Sequence, residues 1–460
     1  MAKKKKSDGD AVAVAPQGRY GEHPVITEVL KAEALDQDPL IGLPLPSLAA
    51  RYLFQANIIP LSRLIHIRGM FSSGKSAMLM EFMRWFTTYG GGGILIDTEN
   101  KSSETMLTGI LGHNDDYIKR NFVVKCQSAE EWQKKYMGFC QKIHAQADDE
   151  DNGRVFPVIL GIDSVSAVDI DRKVEKVAEE GHASAGHPAL ARNLSEFCRS
   201  ALAPTLRRYP ILLVVTNHLK EEINQMGFGP PKMYAPGGSA LDFYPTMVLD
   251  MRRFSAKPLQ IGRAEGQSVR ITASKNNLGA PHRYIDVNLM WYNEIIPCKD
   301  KRGEDSFKNQ QFHYWDWHTA TVRLLITLQD EATKKLPAGM DPKLPAYLRQ
   351  VCDLEYKHGT KNADTPLVFS KALGISKQDA LPEAEVAMVL ENNTKVVGVL
   401  HGLLGINEYL VCDPAVRYRE QVIAELAKQN ITDEPELRAG ESRVVEDLLP
   451  ADFDPLGQVS

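Results

Sequence analysis

One stretch constrains this chain more than any other. Gly69-Met70-Phe71-Ser72-Ser73-Gly74-Lys75-Ser76 is a complete G-x-x-x-x-G-K-S, set between an alternating run at 64–68 and an apolar run beginning at Ser76. The first reads as a strand and the second as a buried helix, so the glycine-bearing segment is a strand-to-helix loop. Its glycines let the backbone wrap until amide N–H groups point inward, and those amides with the helix N-terminus favour a polyanion. Gly69, Ser72, Ser73 and Gly74 then form the cradle, Lys75 reaches the β- and γ-phosphates, and the Ser76 hydroxyl holds Mg²⁺. An NTP-binding α/β core is the expectation.

Residues 92–97, 157–163 and 211–216 are short apolar runs of the kind buried in a parallel sheet, with amphipathic stretches such as Leu190, Leu194, Phe197 and Ala201 between them. They predict a doubly wound, mainly parallel sheet, which runs at 246–252, 268–274 and 284–289 extend. Ligands gather at the carboxyl ends of such strands. Asp163 ends one run and is the candidate Mg²⁺-side carboxylate. Asp97 and Glu99 end another, and Glu99, one step further into the crevice, is the better candidate to orient an attacking water. A helix cap or a solvated loop acid is the plainer role for either. Thr216-Asn217-His218 ends a third strand, where a polar side chain can contact the γ-phosphate. Residues 219–238 follow as a long Gly/Pro-rich loop with little periodicity, a length that is usually functional or disordered.

A chain of 460 residues with ordinary globular composition implies two or three domains. We expect a flexible basic arm at 1–22, a lead-in segment at 23–60, the ATPase-type core at 61–293, a mainly helical domain at 294–432 and an acidic tail at 433–460. The net charge of −5 is unevenly placed: eight acids against Arg438 and Arg443 between 433 and 454 give −6, leaving +1 elsewhere, so a local basic groove is compatible with it. Six scattered cysteines without C-x-x-C or zinc spacing read as reduced and structural. No apolar run approaches the ~20 residues that span a bilayer, and the basic N-terminus lacks an apolar segment after it. No membrane partner and a cytoplasmic or nucleoid location are expected. The aromatic run 312–318 suits core packing or an interface better than base stacking.

Several of these patterns occur together in one family. The P-loop, Ile96-Asp97-Thr98-Glu99, the segment 161–167, the helix at 187–192, Gly237-Gly238-Ser239-Ala240-Leu241-Asp242-Phe243-Tyr244 and Lys275-Asn276-Asn277-Leu278-Gly279-Ala280-Pro281 follow the order of the bacterial RecA recombinases. The resemblance covers residues 40–290, and the chain is similar to divergent, phage-borne UvsX-like members. It implies an ATPase, using ATP and Mg²⁺, that forms filaments on single-stranded DNA and pairs it with homologous duplex DNA. By this resemblance Glu99 is the catalytic glutamate. Residues 180–188, with Gly181, His182 and His187, correspond to the first DNA-binding loop. Residues 220–238, with Lys220, Met226, Phe228, Gly237 and Gly238, correspond to the second. Phe243 is implied to pack on a neighbouring subunit, and Lys275 to cross that interface to the γ-phosphate. A single-strand-binding protein and a loader are the implied partners.

This chain departs from the family at Asn277, where a second interface lysine is usual, at His218, where a glutamine is usual, and near Met106, where an aromatic covers adenine. His218 and Asn277 are therefore candidate nucleotide contacts of altered chemistry. Other readings of the same core are a hexameric helicase-like motor, a P-loop phosphotransferase acting on a small acceptor, and a nucleotide-gated mediator with little turnover.

Overall fold

Of the 460 residues, the computed structural model describes 40–112, 115–147, 157–170, 188–208, 210–221, 233–254, 258–299, 305–329, 336–337, 339–351, 353–358, 364–369 and 381–413. All of them fall in one compact unit. The basic arm, the acidic tail, and the candidate DNA contacts Gly181, His182, His187, Met226 and Phe228 lie outside the described residues.

The chain enters through β1 (Ile41–Pro44), the helix Leu48–Phe54 and β2 (Ile58–Pro60). Ser47 caps that helix, its side chain accepting from the Ala50 amide. β1 pairs antiparallel with β2 and parallel with β18 (Leu410–Val411), so the two ends of the described unit close on one small sheet.

β3 (Arg63–Gly69), β4 (Gly92–Asp97), β5 (Asn121–Lys125), β6 (Val158–Asp163) and β7 (Ile211–His218) follow, each short and rich in Val, Ile or Leu. After a two-residue pair, β8 (Lys220–Glu221) with β9 (Met233–Tyr234), come β10 (Met247–Arg253), β11 (Leu259–Ile261), β12 (Ala264–Asn276), β13 (Arg283–Lys299) and β14 (Asp305–Asp316). Among the described residues the large sheet has the order β14-β13-β12-β10-β3-β7-β6-β4-β5, with β11 on β12. From β10 to β5 the neighbours are parallel; β12, β13 and β14 continue the sheet antiparallel. The mixed α/β core expected from the apolar runs is therefore present.

Helices cover both faces, as period-two strands buried on each side require. One face carries Ile96, Leu160, Ile162, Leu213 and Val215 against Trp132, Tyr136, Phe139, Leu190, Leu194 and Phe197 of the helices Ala129–Ala147 and Pro188–Phe197. Each such buried side chain contributes about 1.5–3 kcal/mol of transfer free energy. The other face receives the helix Lys75–Thr88, whose Trp85 meets Trp317 at 5.3 Å between ring centroids.

The change of character read at residue 293 falls inside β13. That strand pairs with β12 only as far as Trp291, then runs on with β14 from Asn288↔Asp316 to Lys299↔Asp305 as a two-stranded ribbon. Polar residues on this ribbon break the apolar signal while the backbone pairing continues. The aromatic run ends β14 and packs inward: Phe312, Trp315 and Trp317 are buried. Beyond it, the helices Trp317–Gln329, Leu344–Val351, Glu383–Asn392 and Thr394–Leu404 alternate with β15 (Asp353–His358), β16 (Asp364–Phe369) and β17 (Leu381–Pro382). Among the described residues no helix is long and apolar enough to cross a membrane.

Candidate active site

β3 lies between β7 and β10, and the chain leaves its carboxyl end at Gly69 to form the loop. Ser72 and Gly74 take left-handed φ values of 56° and 89°, the alternation that turns successive amides toward one concavity. The positive φ at Gly74 favours glycine, and a Cβ there would also stand 3.1 Å from the Trp315 ring, close enough that the ring would have to give by a few tenths of an ångström. β12 and β14 brace the loop from outside: Gln267 Nε2 donates to Ser72 O at 3.0 Å, and Trp315 Nε1 donates to Ala77 O at 3.3 Å.

Lys75 is buried, and its ammonium donates to Gly69 O (3.0 Å) and Met70 O (2.8 Å). Burial lowers its pKa to about 8, against the opposing pull of Asp163 and Glu99. Ser73 Oγ is buried without a partner inside the same loop. A buried ammonium resting on loop carbonyls, an orphaned hydroxyl and inward amides together fit a phosphate chain.

Asp97 and Asp163 are register neighbours at the ends of β4 and β6. They do different work. Asp97 is almost fully buried, its two oxygens accepting from the amides of Glu99 (3.0 Å) and Ser102 (2.8 Å), so it shapes the loop that carries Glu99. Asp163 Oδ1 accepts from Thr216 Oγ1 at 2.5 Å, and its carboxylate is also hydrogen-bonded to the Ser76 hydroxyl. Burial raises the Asp163 pKa, opposed by those two hydroxyls.

Magnesium coordination fits this pair. No cluster of three or more His, Cys, Asp or Glu among the described residues could hold a metal by itself. A hydroxyl and one carboxylate suit Mg²⁺, which is bound through few protein ligands and takes the rest from phosphates and water.

The Glu99 carboxylate has three partners. Oε1 accepts from Ser164 Oγ at 2.6 Å and from His218 Nε2 at 2.8 Å, while Oε2 is ion-paired with Lys101. Burial pushes this acid up, but Lys101, Ser164 and His218 outweigh it and hold Glu99 at about 2. The His218 amide donates to Ser166 Oγ (3.3 Å), and its ring lies 4.7 Å from that of Phe71, a P-loop residue. Phe71, Thr98, Glu99, Lys101, Ser166 and His218 line one cavity of about 420 Å³, which Lys220 also borders. Sequence reasoning brought Glu99 and His218 here. It missed Lys101, Ser164 and Phe71, for which the only signals were a lysine two residues after the glutamate and an aromatic inside the phosphate loop.

Of the remaining described candidates, Lys220 borders this cavity and the others lie away from it. Lys220 pairs with Tyr234 across β8 and β9 at the base of the long loop. Gly237 and Gly238 both have positive φ (102° and 76°) and lie against the helix Pro188–Phe197; a Cβ on Gly238 would come within 2.7 Å of that of Ala191. Asn217 Nδ2 donates to Pro236 O at 2.7 Å, tying the end of β7 to the same turn. Phe243 is 74% exposed, and Lys275 donates to the carbonyls of Asp242 (3.0 Å) and Phe243 (2.5 Å). Neither Lys275 nor the exposed Asn277 lines the cavity beside the P-loop. In strand register Lys275 stands level with His66, three residues short of Gly69.

The RecA N-terminal domain family matches residues 150–296, which include Asp163, His218, Gly237, Gly238, Phe243 and Lys275. Curated proteins named Protein RecA are similar as well. That of Lactobacillus acidophilus is 26% identical over 292 residues, covering 63% of this chain and 73% of the relative. That of Nautilia profundicola is 26% identical over 263 residues, with 57% and 69% covered. A third, from Oceanobacillus iheyensis, is 27% identical over 263 residues, with 57% and 67% covered. The RecA-family resemblance is borne out. The family match starts after the P-loop and Glu99, so in this RecA-like core the nucleotide half of the site rests on its geometry and the 69–76 motif.

Proposed function

We propose that the chain is a DNA-dependent ATPase that assembles on single-stranded DNA as a filament and promotes homologous pairing and strand exchange, acting on DNA in the cytoplasm. One arrangement carries this reading. Glu99, the carboxylate read as ordering water, is hydrogen-bonded to His218, and His218 leads through Lys220 into the loop read as DNA-binding.

In this reading ATP lies along the 69–76 loop, with Lys75 turning from the Gly69 and Met70 carbonyls to the β- and γ-phosphates. Mg²⁺, held by Ser76 with Asp163 beside it, supplies charge neutralisation when bound. Glu99 orients a water whose oxygen forms the bond to the terminal phosphorus as the bond to the bridging oxygen of ADP breaks. The water proton passes to the carboxylate and on to solvent, leaving ADP and phosphate. Loss of the terminal phosphate alters the Glu99–His218 contact and is felt at Lys220. Gly237 and Gly238 offer backbone amides to DNA, a contact that carries no base preference and suits a protein accepting any sequence. Lys275, remote from its own cavity and beside exposed Phe243, serves the nucleotide of a second copy.

Steady-state ATP hydrolysis with and without unstructured single-stranded DNA, with negative-stain imaging of the same samples, tests this. Stimulation with helical filaments supports it. Rings, or turnover indifferent to DNA, overturn it.

A further inference from the structure

Three groups hold the Glu99 carboxylate, and they are unequal. Ser164 is fully buried and His218 is 16% exposed, both held at strand ends. Lys101 is 67% exposed, stands on the loop after β4, and among the described residues is ion-paired with Glu99. In water an exposed lysine–carboxylate pair is weak, because the ammonium is nearly as well solvated apart. A polyphosphate offers that ammonium more negative charge and more acceptor oxygens. When a polyanion enters, Lys101 is thus the partner of Glu99 that leaves.

The position suits the exchange. Lys101 and Glu99 line the same cavity as Phe71, so the ammonium stands at a cavity that the P-loop itself borders. Lys75 comes from the loop itself and is anchored on two of its carbonyls. Lys101 approaches from another element and is the more exposed of the two, 67% against 5%.

Resting on the reading in which ATP is the substrate, we propose that Lys101 is a second cation for the terminal phosphate, supplied by the same chain. Nucleotide entry exchanges its contact with Glu99 Oε2 for a γ-phosphate oxygen. The same exchange frees that carboxylate oxygen to hold the attacking water. ADP lacks the group that draws Lys101 away, so the exchange distinguishes triphosphate from diphosphate.

The test uses the full chain with Lys101→Ala and Lys101→Arg, the β,γ-imido analogue of ATP and ADP as probes in equilibrium titrations with Mg²⁺, and steady-state hydrolysis of ATP. Lys101→Ala is expected to weaken the analogue about tenfold while leaving ADP within about twofold, with kcat lowered about tenfold or more, as loss of one charge-assisted phosphate contact predicts. Lys101→Arg is expected to recover most of the affinity ratio. An unchanged ratio, or equal weakening of both nucleotides, overturns the proposal and leaves Lys101 a surface partner of Glu99. A wild-type protein that binds neither probe overturns it too. A ratio that depends on Lys101 in a protein whose turnover ignores DNA supports this inference and sinks the recombinase reading alone.

Discussion

His218 Nε2 lies 2.8 Å from Glu99 Oε1, joining the end of β7 to the loop that follows β4. The two residues are 119 apart in sequence and meet because β4, β6 and β7 are neighbouring parallel strands in register, so that Glu99 and His218 each stand two residues past the level of Asp163. In the proposed mechanism this contact is what carries a change at the phosphate to Lys220, two residues further on. His218→Ala is expected to keep ATP affinity within about threefold, since it removes neither the cradle nor Lys75, and to lose about tenfold or more of the stimulation by single-stranded DNA. Hydrolysis rates with and without DNA check this, and a variant with full stimulation would show that the coupling runs elsewhere.

Glu99 makes a prediction with a definite sign in pH. Its carboxyl is lowered from the ordinary 4.5 to about 2, the three partners overcoming the effect of burial. A depressed acid contributes stability that is complete above its unfolded pKa and is lost as pH falls through the folded one. The wild-type protein should therefore lead Glu99→Gln in thermal midpoint at pH 6, and the gap should close between about 4.5 and about 2. A gap that does not change with pH over this window would mean the contacts are not selective for the carboxylate. Turnover of Glu99→Gln is expected to fall about 10²–10⁴-fold with ATP binding retained.

What the sequence made legible followed from local rules. The P-loop, the apolar strands and the acids at their ends could be read because each signal lies within a dozen residues, and Asp163, Glu99 and His218 meet where strand ends predict. Asp97 could not be separated from Glu99 by alternation. Its role in holding the Glu99 and Ser102 amides depends on how the following loop folds back. Pairings such as Ile41↔Leu410 and the β13–β14 ribbon are set by tertiary contacts that no window reports. Lys101 was invisible for a related reason: an exposed lysine has no pattern, and only the ion pair with Glu99 gives it meaning.

Trp315 is a second residue whose part emerged only in the fold. Buried, it covers Gly74 and donates to the Ala77 carbonyl in the first turn of the helix behind the P-loop. Trp315→Ala is expected to cost about 3–5 kcal/mol by the cavity it leaves. Gly74→Ala should do less to the fold, about 1–2 kcal/mol for the left-handed φ, yet distort the cradle and weaken ATP more than tenfold. Denaturant unfolding beside nucleotide titration separates the two; a Gly74→Ala protein with normal ATP affinity would contradict the account of the loop.

Phe243 offers the cleanest separation of folding from assembly. A phenylalanine 74% exposed contributes little to the stability of its own chain, so Phe243→Ala should shift the unfolding free energy by no more than about 0.5 kcal/mol. Lys275, which caps the four-residue helix Ala240–Phe243 through the Asp242 and Phe243 carbonyls, is partly buried, and burial lowers its pKa while Asp242 opposes that shift. If this edge meets a second copy, Phe243→Ala should reduce self-association and Lys275→Ala should reduce DNA-stimulated hydrolysis at protein concentrations where wild type assembles, each by about tenfold or more. Sedimentation velocity with ATP and DNA reads the first, and hydrolysis against protein concentration reads the second. Unchanged assembly in Phe243→Ala would leave its exposure without a role in self-association and Lys275 without the neighbour it is proposed to serve.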